Sequence, residues 1–460
     1  MIRNVIAVID GAAGSCGKGK VIGEIVTDKS IKISAAITNN GPNAGHTFVD
    51  EKGNKMVFHN IPVSSVNLVA ELYIGPGSSI NPEIFANEYE RLNKIIGDRK
   101  IYVHERVPLI EERHQDYERK HITSGSTYKG CGAVQREKIM RDKKLKFFKE
   151  FRNAVVCSSS EWLERLEKHL NNPNAYVLLE GSQGCDLCLN HSGNYPSTTH
   201  KNISSSQMIA DSGISPLDVL QTIMVIRPFP IRICNVTQEG RYINTGAYGE
   251  GAELKWTQIN LASMYNDYPI SEGIESLYGD PCINRFLLKE YINNCPTIAL
   301  QIVFGKNYQT RIKDINNISL LETLEIERLY YKSKGQTIYQ TAFLDLSQYE
   351  DYPENTIIDQ SEQTSVTNLE RRIFDLDINK LINNWRVNKP SHLYLNFFQH
   401  LSYEYKGITG NFDDIYFNRY LREYLNWLES KIKVEVCALG TGPKNNERIL
   451  KKEFIQKIPR

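Results

Sequence analysis

Long apolar runs are missing from this chain. No window of its 460 residues approaches the roughly 18 to 20 apolar residues that span a bilayer, which argues against a membrane role. An excess of either charge is missing too, with 55 basic residues against 54 acidic ones. A general nucleic-acid binder carries a basic surplus, so a net charge of +1 argues against that role while leaving room for a local basic pocket. The opening MIRNVIAVIDG lacks the basic start, longer apolar stretch and small-residue cleavage site of a secretory signal. There is no disulfide framework either: nine cysteines, an odd number without regular spacing, point to reduced thiols in a cytoplasmic protein. Cys185 and Cys188 form one C-x-x-C. A zinc site wants a second ligand pair and a redox pair wants a thioredoxin-like setting, so these two read as pocket lining.

What is present is an ordinary globular composition, 41% hydrophobic and 24% charged. The first segment reads strand, glycine-rich turn, helix: Val5 to Ile9, then GAAGSCGKGK, then VIGEIV. Further β-like runs lie at Lys32–Thr38, Ala70–Ile74, Ile101–Val103, Tyr176–Leu179, Ile223–Ile226 and Leu393–Phe397. Helical patterns stand between them at Pro82–Ile96, Glu161–Leu170 and Ser215–Gln221. This alternation predicts an α/β protein with a largely parallel central sheet, flanking helices, and loops at the strands' carboxyl ends that carry the chemistry. Residues 1–460 read as one domain. The Asn-, Tyr- and Lys-rich stretch 264–359 reads as an insertion or subdomain within it.

Five constellations carry chemistry. Gly11–Lys20 follows the first strand: Gly14, Gly17 and Gly19 let backbone N–H groups curl around an anion, with Ser15 and Cys16 between them and Lys18 and Lys20 to meet phosphate. It is not a Walker A loop, because Gly19 stands where Ser or Thr holds magnesium. Asn39 to Thr47, with Asn43, Gly45 and His46, follows the second strand, and a histidine there suits an acid or a donor to developing negative charge. Alone, His46 is more often structural. Glu180 to Leu187, with Gln183, runs on to Thr199 and offers amide and hydroxyl donors for a base edge and a phosphate. Thr123 to Gly130, with Ser126, Thr127 and the later Arg141, has the look of another anion loop. Gln363 to Arg372 sets hydroxyls beside paired arginines, whose forks suit carboxylates; a solvated helix start is an equally good reading of it.

In order and wording these segments resemble the adenylosuccinate synthetase family, whose signatures run G-D-E-G-K-G-K, G-P-N-A-G-H-T, E-G-A-Q-G…Y-P and T-G-R-P-R-R. The resemblance covers roughly residues 1–240 and returns in patches from about 360. It implies a P-loop-NTPase-related fold and a ligase in which a nucleoside triphosphate phosphorylates a purine O6 before aspartate displaces the phosphate. Matched position by position, it implies that Lys18 and its glycines hold the phosphoryl, and that His46 donates to O6. Gly45, and the residue at position 15, would serve Mg²⁺. Asn43, Gln183 and Leu187 would face the purine nucleotide, and Ser126, Thr127 and Thr199 its 5′-phosphate. Arg141 would reach that phosphate from a second subunit, implying a homodimer. Thr367 and Arg371 would take L-aspartate, and Gly440, Thr441, Gly442 and Pro443 resemble the family's S-T-G-P contact with the triphosphate.

Three departures refine that expectation. The family's catalytic aspartate is Ser15 here, a poor general base but small enough to leave room for an amino group on C2 of a guanine. The first arginine of R-P-R-R, which reaches the ribose 2′-hydroxyl, is Leu369. The guanine-reading K-L-D corresponds to Gln399-His400-Leu401-Ser402, which opens the donor site to ATP or dATP as well as GTP. Together they resemble the family's phage-type branch, which acts on dGMP in the host cytoplasm to begin diaminopurine deoxynucleotide synthesis. An ordinary IMP- and GTP-using synthetase and a non-catalytic purine-nucleotide-binding protein are the alternatives.

Overall fold

The computed structural model of the chain describes residues 2–122, 126–238, 241–243, 245–251, 253–256, 259, 260, 263, 300, 309, 360–362, 370–415, 417, 419–451, 453 and 455–459. The expected insertion at 264–359 lies outside them but for two residues, and so do Gln363, Thr364, Thr367 and Leu369.

β1 (Val5–Asp10) is buried along its whole length, as an unbroken apolar run covered on both faces must be. Then come α1 (Lys18–Thr27), β2 (Ile33–Thr38), β3 (His46–Val49), β4 (Lys55–Phe58), β5 (Glu71–Ile74) and α2 (Pro82–Ile96). α2 starts where Asn81 caps the Ile84 N–H and Pro82 occupies the first turn, and it ends at Gly97. β6 (Ile101–His104), α3 (Glu112–His121), α4 (Cys131–Met140), β7 (Ala154–Cys157), α5 (Ser159–Leu170), β8 (Tyr176–Glu180), α6 (Ser205–Ser212) and β9 (Val219–Ile226) continue the alternation. Short strands follow: β10 (Ile231–Arg232), β11 (Val236–Gln238), β12 (Arg241–Ile243), β13 (Glu253–Leu254) and β14 (Arg372–Phe374). The described chain closes with α7 (Ile378–Asn388), β15 (His392–Leu395), β16 (Gly410–Asn411), α8 (Arg419–Ile432), β17 (Val436–Gly440) and β18 (Arg448–Leu450).

Eleven strands form one sheet in the order β16-β18-β17-β15-β9-β1-β8-β2-β5-β6-β7. Every pairing in it is parallel except β17 with β18. The expected α/β architecture is therefore present. Because β15, β9, β1, β8 and β2 are neighbours and parallel, the loops that follow them leave the sheet side by side.

Two local expectations are corrected. Ser215–Gln221, read as helical, is a single 3₁₀ turn at Pro216–Asp218 that runs straight into β9. Pro216 suits the first position of that turn, but Val219 pairs with Val5, and the need to complete the central sheet overrides helical spacing. β15 stops at Leu395 rather than Phe397, whose φ of 59° takes it out of extended backbone.

Candidate active site

The loop after β1 is shaped by an anion of its own. The buried Asp10 carboxylate accepts from the backbone N–H groups of Ala12 (3.0 Å), Gly14 (3.2 Å) and Cys16 (2.9 Å), and from the Lys18 ammonium at 3.3 Å. Positive φ at Gly14, Ser15 and Gly17 turns the chain around that carboxylate. Lys18 also donates to the Gln183 carbonyl at 2.8 Å. Asn396, just past β15, donates to the Cys16 carbonyl at 3.0 Å. Gly19, in the first turn of α1, lies hard against β3: a Cβ there would lie 2.4 Å from the Thr47 carbonyl oxygen, so no side chain fits.

Lys20 does not offer its ammonium to this loop. It is ion-paired with Glu24, lies 3.2 Å from the Tyr394 hydroxyl, and shares Glu24 with Arg448 at 3.3 Å, all within a buried cluster. Burial lowers its pKa and Glu24 opposes that shift. The expectation that Lys20 meets phosphate is corrected accordingly: its charge is already matched.

His46 opens β3 and is 5% exposed. Its Nδ1 faces the Asn40 amide nitrogen at 3.5 Å, while Nε2 is buried without a partner. The hydrogen-bond network thus assigns the proton to Nε2, making it an unused donor. Burial first, then Lys18 and His59, pull its pKa down to about 3, so the ring is neutral at physiological pH. Gln183, at φ 57°, sends its side-chain nitrogen to 3.5 Å from the Asn43 carbonyl. The next residue, Gly184, lies against the first loop, where an added Cβ would be 2.1 Å from the Gly14 nitrogen. Asp186 N–H donates to the Ala12 carbonyl at 2.9 Å, and Thr199 N–H to the Leu187 carbonyl at 2.8 Å. Lys18, Asn43, His46, Gln183, Leu187 and Thr199 are thereby gathered around the loop ends of β1, β2 and β8.

Other expected residues stand further out. Ser126 accepts from the Tyr128 N–H at 3.1 Å, and Thr127 is exposed. The start of α4 behind them is filled by the chain itself, with Glu118 accepting from Gly130, Gly132 and Ala133 N–H groups. Arg141 ends α4, exposed and left-handed. Gly440 packs on Asn396 so closely that a Cβ would meet its Oδ1 at 2.0 Å, and the Thr441 hydroxyl donates to the Ile408 carbonyl at 2.6 Å. The Gly440–Pro443 segment therefore borders the first loop through Asn396.

Sequence reasoning missed Asp10, Arg227, Glu362 and Asn396. Arg227 is 1% exposed, lies 4.0 Å over the Phe397 ring, pairs with Glu362 and donates to the Ser15 carbonyl at 3.1 Å. Asp10 closes β1 and Arg227 follows β9 directly, both charged residues at the end of apolar strands, and that signal was readable. Arg371 donates to the Ser15 hydroxyl, and its own carbonyl accepts from the Trp256 indole at 2.7 Å.

Among the described residues there is no cluster of three or more His, Cys, Asp or Glu that could hold a metal. The residues fit Mg²⁺ as an ion carried largely by phosphate oxygens and water, with the exposed Gly45 able to contribute its carbonyl. Ser15 does not fit as a ligand. Its hydroxyl already accepts from the Arg371 guanidinium, and that cation repels a second one.

A glycine-rich loop with a buried lysine at the lip of a parallel sheet is the arrangement with which α/β proteins hold phosphate. The sequence model of adenylosuccinate synthetase matches residues 7–145. The adenylosuccinate synthetase of Methanococcus maripaludis (strain DSM 14266) is 32% identical over 321 residues, covering 67% of this chain and 91% of that protein. That of Pyrococcus horikoshii is 32% identical over 233 residues, 50% of this chain, and the match spans only 66% of the relative's length. The chain belongs to the adenylosuccinate synthetase family. Two solved structures share its fold. The succinoaminodeoxyadenylate synthetase of cyanophage S-2L gives a TM-score of 0.64 at 20% identity, covering 98% of this chain and 96% of that one. The adenylosuccinate synthetase of Plasmodium falciparum gives 0.62 at 15% identity, covering 98% and 100%.

Proposed function

We propose that this chain is a carbon–nitrogen ligase that joins L-aspartate to C6 of dGMP, giving 2-amino-2′-deoxyadenylosuccinate at the expense of a nucleoside triphosphate. The observation that carries the substrate choice is Ser15. It is an exposed residue whose hydroxyl is small and neutral, standing where the family has an aspartate beside N1 and C2 of the purine. A hydroxyl there leaves room for the 2-amino group of guanine. Leu369, in place of the arginine that reaches the 2′-hydroxyl, removes a reason to prefer ribose. The cyanophage protein of the same fold was solved with dGMP and with dATP as energy donor, which supports both choices.

In this reading purine N1 gives its proton to water, and the γ-phosphoryl group passes to O6 as the nucleoside diphosphate leaves. The aspartate amine attacks C6 and loses a proton to water, and inorganic phosphate departs with O6. Lys18 and the N–H groups of the first loop neutralise the phosphoryl charge. The neutral His46 donates through Nε2 as negative charge builds on O6, a preorganised donor in a site shielded from water. Mg²⁺, held by the Gly45 carbonyl, would supply charge neutralisation on the triphosphate. Asn43, Gln183 and Leu187 face the purine. Ser126, Thr127 and Thr199 receive the 5′-phosphate, joined by Arg141 of a second subunit; exposed Ile139 and Met140 beside it support such a homodimer. Thr367 and Arg371 take the aspartate carboxylates. For the donor we favour ATP or dATP, because Gln399 presents a buried, unpartnered Oε1 and a carboxamide matches the adjacent donor and acceptor of adenine.

A second reading, synthesis of adenylosuccinate from IMP with GTP, is favoured by the adenylosuccinate synthetases of M. maripaludis and P. horikoshii described above. Phosphate release with Mg²⁺, ATP and L-aspartate, with dGMP and IMP in parallel, tests the two. Turnover with dGMP alone is the expected result. Turnover with IMP alone supports the second reading, and silence with both points to a binding protein.

A further inference from the structure

Ser15 receives two arginines. Its carbonyl accepts from Arg227 at 3.1 Å and its hydroxyl from Arg371. Arg227 also reaches Glu362, with Nη1 at 3.2 Å from Oε2, and the Glu362 carbonyl accepts from the Arg371 N–H at 2.8 Å. The contacts close a ring, Ser15–Arg227–Glu362–Arg371–Ser15, that fastens Glu362 and Arg371 onto the loop after β1. The Arg227 side chain is wholly buried against Phe397, so its pair with Glu362 sits where charges are poorly screened. Ser15 itself has φ 57°, a left-handed conformation that a residue with a Cβ keeps only where its surroundings enforce it.

We propose that Ser15 is a positioning residue for the amino-acid substrate: its hydroxyl fixes the plane of the Arg371 guanidinium so that a carboxylate meets the fork already oriented. This rests on reading the chain as an aspartate ligase with Arg371 at the aspartate carboxylates. An arginine fork binds a carboxylate well only in one plane, so the bond that sets that plane sets aspartate affinity. Because the same residue belongs to the phosphate-handling loop, ordering that loop and binding aspartate favour each other reciprocally.

The test is steady-state kinetics of Ser15→Ala and Glu362→Gln. Alanine keeps the room beside the purine while removing the hydroxyl. KM for L-aspartate rises about ten-fold in Ser15→Ala, KM for the nucleotide monophosphate stays within about two-fold, and the double variant loses less than the product of the two singles, since both cut one ring. Unchanged aspartate KM, or equal rises for both substrates, overturns the proposal. If no nucleotide supports turnover, the ligase reading fails. Calorimetric titration of L-aspartate into wild-type and Ser15→Ala protein holding dGMP and a non-hydrolysable ATP analogue then decides the ring separately. A ten-fold weaker Kd in the variant supports it, and equal Kd values or no aspartate binding by the wild type overturn it.

Discussion

The Lys18 ammonium lies 2.8 Å from the Gln183 carbonyl and 3.3 Å from the Asp10 carboxylate, so one lysine ties the loop after β8 to the carboxylate that shapes the loop after β1. Asp10 is the keystone of that arrangement. In Asp10→Asn, one carboxylate oxygen becomes an NH₂ facing N–H donors, leaving buried groups unmatched. Stability should fall by about 1–3 kcal/mol with activity largely lost. Urea denaturation reads this as a lower midpoint at constant slope, and an unchanged midpoint contradicts it.

Lys20 and Lys18 should separate cleanly. Lys20→Met takes one partner from the buried Glu24, which keeps Arg448 and the Tyr394 hydroxyl, and should cost about 1–3 kcal/mol, while KM for the triphosphate stays within about two-fold in the protein that remains folded. Lys18→Met should lose turnover by orders of magnitude. A large rise in triphosphate KM for Lys20→Met would put Lys20 back at the phosphate.

His46 predicts a flat acid limb. With its pKa pulled down to about 3, it stays neutral from pH 5 to 8 and contributes no ionisation there. His46→Asn should lower kcat about 10²- to 10³-fold by about the same factor at each pH. The sign also fixes a stability effect. A histidine with depressed folded pKa stabilises above its unfolded value of about 6.5, and that contribution is lost as pH falls from there toward 3. A wild-type limb near pH 6.5 that disappears in His46→Asn would show the imidazolium to be the working form.

Gly184→Ala tests the lock between the loops after β8 and β1. Its Cβ would meet the Gly14 nitrogen at 2.1 Å and the Ala12 oxygen at 2.2 Å, both backbone, so the loops must separate. Activity should drop far more than melting temperature. Wild-type kinetics would mean the loops yield without consequence.

The sheet was legible because its strands are short apolar runs divided by glycine-rich turns, and the loops were legible because their chemistry is written locally. Ser215–Gln221 misled, since only the partner strand decides that Val219 is extended. The ring at Ser15 was not legible: Arg227 and Glu362 are 135 residues apart, and nothing local to either points to the other. Lys20 could have been read, because Glu24 lies four residues on, at the spacing of a helical ion pair.

The most direct test of the central claim is competition between dGMP and IMP for wild-type and Ser15→Asp protein, followed by phosphate release and product analysis. The account predicts that wild type uses dGMP and that the aspartate, crowding C2, shifts the kcat/KM ratio at least ten-fold toward IMP. An unchanged ratio in Ser15→Asp would contradict it.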